Sequence, residues 1–134
     1  MKLKHVFVWL VCLTAFNVAR GQTPGQTQFK INQNSGQTYG IEFSMNGEKV
    51  LQSPAEGLWS VSTDWQNDWM TSWVHGSPTK QESVNDWEIL TGKMLIQGGE
   101  MAVRDAYRLE DNGMVHGIRR FEWHGKDTLR KASL

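Results

Sequence analysis

Apolar and polar residues alternate along most of the chain from Phe29 onward, and this period of two is typical of half-buried β-strands. The alternation is clear over residues 39–45, and Asn46-Gly47 follows directly. An Asn-Gly pair between alternating runs predicts a two-residue hairpin loop, because both residues tolerate positive φ. Such a loop places Phe43 opposite Val50.

A second hairpin is predicted around Asp111-Asn112-Gly113, which separates residues 100–110 from residues 114–123. A two-residue Asn-Gly loop would pair apolar positions with polar ones, whereas a three-residue loop with a left-handed Gly113 unites the apolar faces. Since a one-residue slip turns a whole strand face over, we expect the three-residue loop with a bulge. Its register gives the pairs Leu109 with Val115, Val103 with Phe121, Met101 with Trp123, and Asp105 with Arg119.

The remaining segments are shorter, and none has a compelling helical pattern. They are a strand over 57–63, a polar loop over 77–85, a strand or a hairpin broken at Thr91-Gly92 over 87–96, and a turn at 124–127 before another strand over 128–134. The predicted fold class is therefore all-β: an antiparallel, supersandwich-like β-sandwich built of sequential hairpins. Because the chain stops inside an apparent strand, we expect this sandwich to be truncated at its C-terminus.

Residues 1–21 have the three-part layout of a secretory signal peptide. Lys2 and Lys4 precede an apolar stretch over 6–16, and cleavage is expected after Gly21. A membrane anchor is the alternative, but the apolar stretch is shorter than the roughly 20 residues that span a bilayer. The predicted organisation is a signal peptide over 1–21, a flexible arm over 22–28 and a β-sandwich domain over 29–134.

Composition narrows the class of protein further. A chain of 134 residues, 39% of them hydrophobic, allows one ordinary domain. The formal charge is zero, but the leader holds three of the 14 basic residues and no acid, so the mature chain carries 11 against 14, a net of −3. No nucleic-acid partner is expected, because the mature chain is weakly acidic and has no run of basic residues that could contact a phosphate backbone. The single cysteine lies in the leader, so we expect a disulfide-free bacterial protein of the periplasm or cell surface, or a secreted one.

Three tryptophans, Trp65, Trp69 and Trp73, recur every four residues beside Asp64 and Asp68. A single strand would place all three indoles on one face. Indole faces next to carboxylates suit sugar rings, since the C–H face stacks and the hydroxyls hydrogen-bond, so these five residues are a candidate carbohydrate-binding site. The alternative, which we favour slightly from the sequence, is that the indoles fill the core between two sheets.

No catalytic residue, metal site or cofactor is predicted. Glycoside hydrolysis needs two carboxyl groups about 5–10 Å apart, and pairs such as Asp86 with Glu88 do not establish that separation from sequence. The histidines lack the spacing of a zinc motif. A charge on an apolar strand face must be paired, so Asp105 and Arg119 are predicted to form a structural ion pair, with a substrate clamp as the alternative.

Residues 57–61 (Gly-Leu-Trp-Ser-Val), followed by Asp64-Trp65, and residues 107–123 resemble the start of large exported glycoside-hydrolase-like proteins of Bacteroidetes polysaccharide-degrading systems. The resemblance implies an N-terminal β-sandwich that precedes an (α/α) barrel carrying the catalytic acids. Its motifs are structural hairpin sequences, so it implies no catalytic residue in this chain.

Three hypotheses about function follow from the sequence. The first is the N-terminal β-sandwich of an exported carbohydrate-active enzyme, with a missing C-terminal catalytic barrel as its partner and no catalysis of its own. The second is a self-standing module that binds a polysaccharide or oligosaccharide at the cell surface. The third is a purely structural exported β-domain.

Overall fold

The computed structural model describes residues 26–126, and this part of the chain consists of β-strands, turns and short loops without a helix. The strands are β1 Thr27–Gln33, β2 Tyr39–Met45, β3 Glu48–Gln52, β4 Trp59–Gln66, β5 Trp69–Gly76, β6 Lys80–Val84, β7 Trp87–Ile96, β8 Gly99–Leu109 and β9 Val115–Gly125. No helix within these residues is long and apolar enough to cross a membrane.

The strands form three open sheets in which every neighbour is antiparallel. Strands β1, β2 and β3 make one sheet, β4 and β5 a second, and β6, β7, β8 and β9 a third, in sequence order. Each sheet is therefore a run of sequential hairpins, and none of the three closes into a barrel. The prediction of an all-β antiparallel fold is confirmed, and the arrangement is consistent with a sandwich.

The four-stranded sheet packs one of its faces, here called the inner face, against the other two sheets. Trp59 and Val61 of β4 are fully buried and meet Met94, Met101 and Val103 in the main core cluster. The other end of the inner face contacts the β1–β2 sheet through three rings, with centroids 6.0–6.4 Å apart: Phe29, Phe43 and Tyr107. The opposite face of the four-stranded sheet is here called the outer face.

Strand β7 is continuous, so the alternative of a break at Thr91-Gly92 is wrong. Gly92 lies in the middle of the strand because the ring of Trp59 packs directly on its backbone. A Cβ at this position would lie 2.9 Å from Cζ3 of Trp59. The glycine thus marks the closest approach of the two layers and does not mark a turn.

The segment predicted as a polar loop over 77–85 contains the strand β6, and this prediction is wrong. All five residues of β6 are exposed, so the strand shows no apolar alternation. Asn85-Asp86 form the turn into β7, with φ of 46° and 64° at the two positions. Such a two-residue turn with positive φ matches the twist of a hairpin without a glycine.

The register of the β8–β9 hairpin is confirmed over its whole length, including Leu109 with Val115 and Met101 with Trp123. Gly113 has a φ of 79° and its N–H donates to the carbonyl oxygen of Glu110 at 2.9 Å, which closes the three-residue loop. The register predicted for the Asn46-Gly47 hairpin is wrong beyond its first pairs.

In the Asn46-Gly47 hairpin, Met45 pairs with Glu48 as a two-residue loop requires. A bulge then follows, so that Phe43 pairs with Leu51 and not with Val50. The bulge occurs where β3 is weakly held, since Val50 and Leu51 are about 60% exposed. Apolar side chains without a buried face do not specify register.

Strand β1 begins at Thr27, so the last two residues of the predicted flexible arm belong to a strand. Strand β9 continues to Gly125, into the region predicted as a turn. The signal peptide, the beginning of the arm and the strand predicted over 128–134 lie outside the described residues.

Candidate functional site

The three tryptophans of the candidate site lie on the β4–β5 hairpin and not on one strand. Asn67-Asp68 form its turn with φ of 51° and 61°, so Trp65 ends β4 while Trp69 begins β5. Trp65 pairs with Met70, and its neighbour Gln66 pairs with Trp69. Since paired residues share a face and adjacent residues do not, Trp65 and Trp69 point to opposite faces. The expectation of one face for all three indoles is wrong.

Two of the indoles are surface groups. Trp69 at the hairpin turn is 72% exposed and Trp73 is 42% exposed, whereas Trp65 is half-buried. The tryptophan that fills the core is Trp59, which is fully buried. The interpretation of the Trp segment as core is therefore wrong for Trp69 and Trp73.

Asp64 lies beside these indoles and is fixed by hydroxyl groups of the facing strand. Ser72 Oγ donates to Asp64 Oδ2 at 3.3 Å, and Thr71 Oγ1 donates to the Asp64 carbonyl oxygen at 3.4 Å. The β4–β5 register shifts on both sides of Asp64. These irregularities turn the tip of the hairpin, so its side chains do not continue the core pattern set by Val61.

Asp68 occupies the second position of the turn and is exposed next to Trp69. The hairpin therefore carries the exposed ring of Trp69 together with two exposed carboxylate groups, Asp64 and Asp68. This combination offers an apolar surface for the face of a sugar ring and acceptors for its hydroxyl groups.

The second predicted pair, Asp105 and Arg119, forms a bidentate salt bridge on the inner face. Arg119 Nε donates to Asp105 Oδ1 and Arg119 Nη2 donates to Asp105 Oδ2, each at 2.7 Å. Asp105 is fully buried. Two donors that the sequence analysis did not identify complete its surroundings, since Trp59 Nε1 donates to Oδ2 at 2.9 Å and the Tyr107 hydroxyl at 3.0 Å.

The cluster formed by Asp105, Arg119 and the two additional donors has a structural role in the core. Burial raises the pKa of Tyr107 to about 12, and the nearby Asp105 charge acts in the same direction. Burial by itself would lower the pKa of Arg119, but the hydrogen bond and the charge of Asp105 raise it above its ordinary value. Tyr107 therefore stays neutral and Arg119 stays charged over the physiological range. The site matches a structural ion pair and gives no general acid or base.

Glu88 and Glu110 line the same open cleft, of about 750 Å³, and both are held in hydrogen bonds or an ion pair. Glu110 accepts from Arg108 Nη2 at 2.6 Å, and this hydrogen bond is the main reason that the pKa of Glu110 is lowered. Glu88 accepts from Ser83 Oγ at 2.7 Å. A glycosidase acid needs a raised pKa, so the direction at Glu110 is opposite to that role. Within residues 26–126, no group of three or more His, Cys, Asp and Glu side chains is arranged to hold a metal ion.

Comparisons with protein-family models, with curated proteins and with solved structures give no significant match to this chain. The resemblance described from the hairpin sequences accordingly remains a prediction, and so do the activity and the localisation that it implies.

Proposed function

We propose that this chain is an exported β-domain that binds a polysaccharide or oligosaccharide through Trp69 and Trp73. The observation that carries the proposal is the exposure of Trp69, which is 72% accessible at the tip of the β4–β5 hairpin. An indole is among the largest apolar groups in proteins, and its exposure forgoes the burial of up to about 250 Å² of side-chain surface. A ligand that covers the ring recovers that stabilisation.

The chemistry beside the ring favours a sugar over a purely apolar ligand. Asp64 and Asp68 are exposed carboxylates. The hydroxyl group of Ser72 donates to the Asp64 side chain, and that of Thr71 donates to the Asp64 backbone. A sugar offers an apolar face together with hydroxyl donors, so it contacts the indole and the carboxylates at once. Because Ser72 fixes the orientation of the Asp64 carboxylate, less conformational entropy is lost when a ligand binds.

The proposal is tested by native affinity electrophoresis through gels that contain neutral polysaccharides, such as xylan, laminarin or galactomannan. Trp69→Ala should abolish the retardation that the wild-type chain shows in at least one gel, because stacking of one ring is the principal contact. Leu95→Ala is the matched control: Leu95 is 78% exposed and lies on a different sheet. Both variants should unfold like the wild type.

Absence of retardation in every gel, or equal retardation of Trp69→Ala and Leu95→Ala, would overturn the proposal. A loss of the cooperative unfolding transition in Trp69→Ala would also contradict it, since it would show that the ring supports the fold.

A second candidate function is the N-terminal β-sandwich of an exported carbohydrate-active enzyme, whose chemistry belongs to a separate catalytic barrel. It is favoured by the contacts of the carboxylates within residues 26–126. Glu88 and Glu110 line one open cleft of about 750 Å³, but each is held in hydrogen bonds or an ion pair, and Asp105 is buried in another ion pair. The test is the genomic reading frame after Leu134. A continuation of several hundred codons supports this candidate, and an immediate stop codon contradicts it.

A further inference from the structure

The outer face of the four-stranded sheet carries a row of side chains across all four strands, and three of its four members are basic. Strand pairing places Lys80 of β6 beside Thr91 of β7, Thr91 beside Arg104 of β8, and Arg104 beside Arg120 of β9. Neighbouring strands lie about 4.8 Å apart, so this basic row extends about 14 Å across the sheet. It is separate from the β4–β5 hairpin, which packs on the inner face.

Arg104 and Arg120 are directly opposite each other, and both are exposed. Like charges in directly opposite positions of a sheet destabilise it. Neither guanidinium group has a salt-bridge partner within the part of the chain that the structure describes. Among residues 26–126, the fold therefore maintains a repulsive pair without a compensating ion pair.

The other cations of the outer face are already neutralised. Lys80 pairs with Glu82, Lys93 pairs with Glu100 at 2.8 Å, and Arg108 pairs with Glu110. Glu122, the acid next to Arg120 on this face, instead contacts His124 at 3.4 Å. The uncompensated positive charge is thus concentrated on Arg104 and Arg120.

The two arginines line an open groove of about 430 Å³ together with Thr79, Lys80, Thr91, Lys93 and one carboxylate, Glu122. Arginine guanidinium groups bind carboxylates and sulfates through two parallel hydrogen bonds. Hydroxyl groups from the threonines add neutral donors and acceptors to the same groove. A local conflict of charges inside a groove with suitable donors is typical of a binding site.

We propose that the basic row binds an anionic glycan, a polymer that carries a carboxylate or sulfate group on its sugars. Such a chain presents an anion at intervals comparable with the spacing of the strands, and it extends along the row. One anion between Arg104 and Arg120 changes their repulsion into two attractive, charge-assisted contacts.

The surroundings of the row favour a hydrophilic polyanion over an acidic protein. The large exposed apolar side chains of the outer face do not line the groove: they are Val84, Leu95 and Ile118. The ring of Trp87 is occupied by Arg108, 4.7 Å above it, and by His116, at 5.3 Å. The groove therefore presents charged and hydroxyl groups without a large exposed apolar side chain, whereas the centre of a protein interface would need an apolar surface.

The proposal is tested by isothermal titration calorimetry of the whole chain with polygalacturonate and with dextran sulfate, at low ionic strength. Methyl-esterified pectin and dextran are the matched neutral polymers. Arg104→Gln/Arg120→Gln should weaken binding to at least one polyanion by about tenfold or more. The double variant Lys30→Gln/Lys49→Gln removes the same charge from the β1–β3 sheet, and its affinity should stay within about twofold.

Binding should weaken as salt is added, because the contacts are exposed. A thermal melt of Arg104→Gln/Arg120→Gln at or above the wild-type temperature shows that lost binding is not lost structure. The two polyanions separate carboxylate recognition from sulfate recognition, and either result supports the proposal.

Equal affinity of the arginine variant and the wild type would overturn the proposal. Equal binding of polyglutamate and polygalacturonate would do the same, because it would show a general acceptor of acidic chains, including proteins. Arg104→Gln/Arg120→Gln should keep the wild-type retardation in the neutral polysaccharide gels, so that failure at one site is distinguishable from failure at the other.

Discussion

Replacement of Arg119 by methionine removes the cation that contacts the buried carboxylate of Asp105 and leaves the side-chain volume nearly unchanged. Loss of one partner of a buried ion pair destabilises proteins by about 3–5 kcal/mol, because the remaining charge is uncompensated. Two features of the structure place the effect near the lower limit. Asp105 keeps its hydrogen bonds from Trp59 and Tyr107, and Arg119 is itself 37% exposed, so water can reach the site.

We therefore expect Arg119→Met to lower the free energy of unfolding by about 3 kcal/mol, a large share of the 5–15 kcal/mol of a typical domain. With a slope of about 1–3 kcal/mol per molar urea, the midpoint of urea unfolding should fall by about 1–3 M. Intrinsic tryptophan fluorescence reports the transition, since Trp59 contacts the affected carboxylate directly.

The neighbouring substitution Arg120→Met is the control. Arg120 lies on the opposite face of the same strand, is exposed and takes part in no salt bridge among residues 26–126. Its replacement should change the free energy of unfolding by less than about 0.5 kcal/mol, or raise it slightly through relief of the Arg104 repulsion. Equal unfolding midpoints for the two variants would refute the reasoning, because burial of Asp105 would then not require its cation.

Two further predictions concern the inner face. The pKa of Tyr107 is about 12 in the folded chain, against about 10 when unfolded, so the free energy of unfolding should fall between pH 10 and pH 12. The difference sets a limit of about 2.7 kcal/mol, and partial exposure reduces the expected loss to about 1–2 kcal/mol. Urea unfolding of Tyr107→Phe should lack this loss; the same pH dependence in that variant would contradict the prediction. Gly92→Ala places a methyl group 2.9 Å from the Trp59 ring and should destabilise the chain by about 1–3 kcal/mol, measured by thermal unfolding. An unchanged melting temperature would show that the ring has room to move.

The sequence was most informative where apolar residues on two strands had to meet. The β8–β9 register followed from the requirement that Met101 and Val103 face Trp123 and Phe121, because only one register buries all four on the same side. The same register placed Asp105 beside Arg119, so the ion pair was predictable from the sequence alone. The additional donors Trp59 and Tyr107 were not, since Trp59 belongs to another sheet.

The candidate Trp site was predictable in its residues but not in its geometry. A period of four fits one strand as well as a helical turn, and the turn at Asn67-Asp68 lacks the glycine that marks most two-residue hairpins. Both residues adopt positive φ without it, as asparagine and aspartate do more readily than other side chains. The exposure of Trp69 follows from the Asn67-Asp68 turn, which places this residue at the tip of the hairpin.

The basic row of the outer face was also invisible in the sequence, because its members are far apart along the chain. Lys80, Arg104 and Arg120 become neighbours only through strand pairing. A signal existed in the predicted β8–β9 register, which places Arg104 opposite Arg120. Like charges at paired positions are uncommon enough to single out such a pair.

Strand β6 forms one margin of the four-stranded sheet within the described residues, and it is composed of Lys-Gln-Glu-Ser-Val with every position exposed. An unpaired margin offers free backbone donors and acceptors to any other extended chain. Charged groups at Lys80 and Glu82 make that addition unfavourable, because an incoming strand would have to desolvate them. The polarity that concealed β6 from pattern analysis thus protects the domain against self-association.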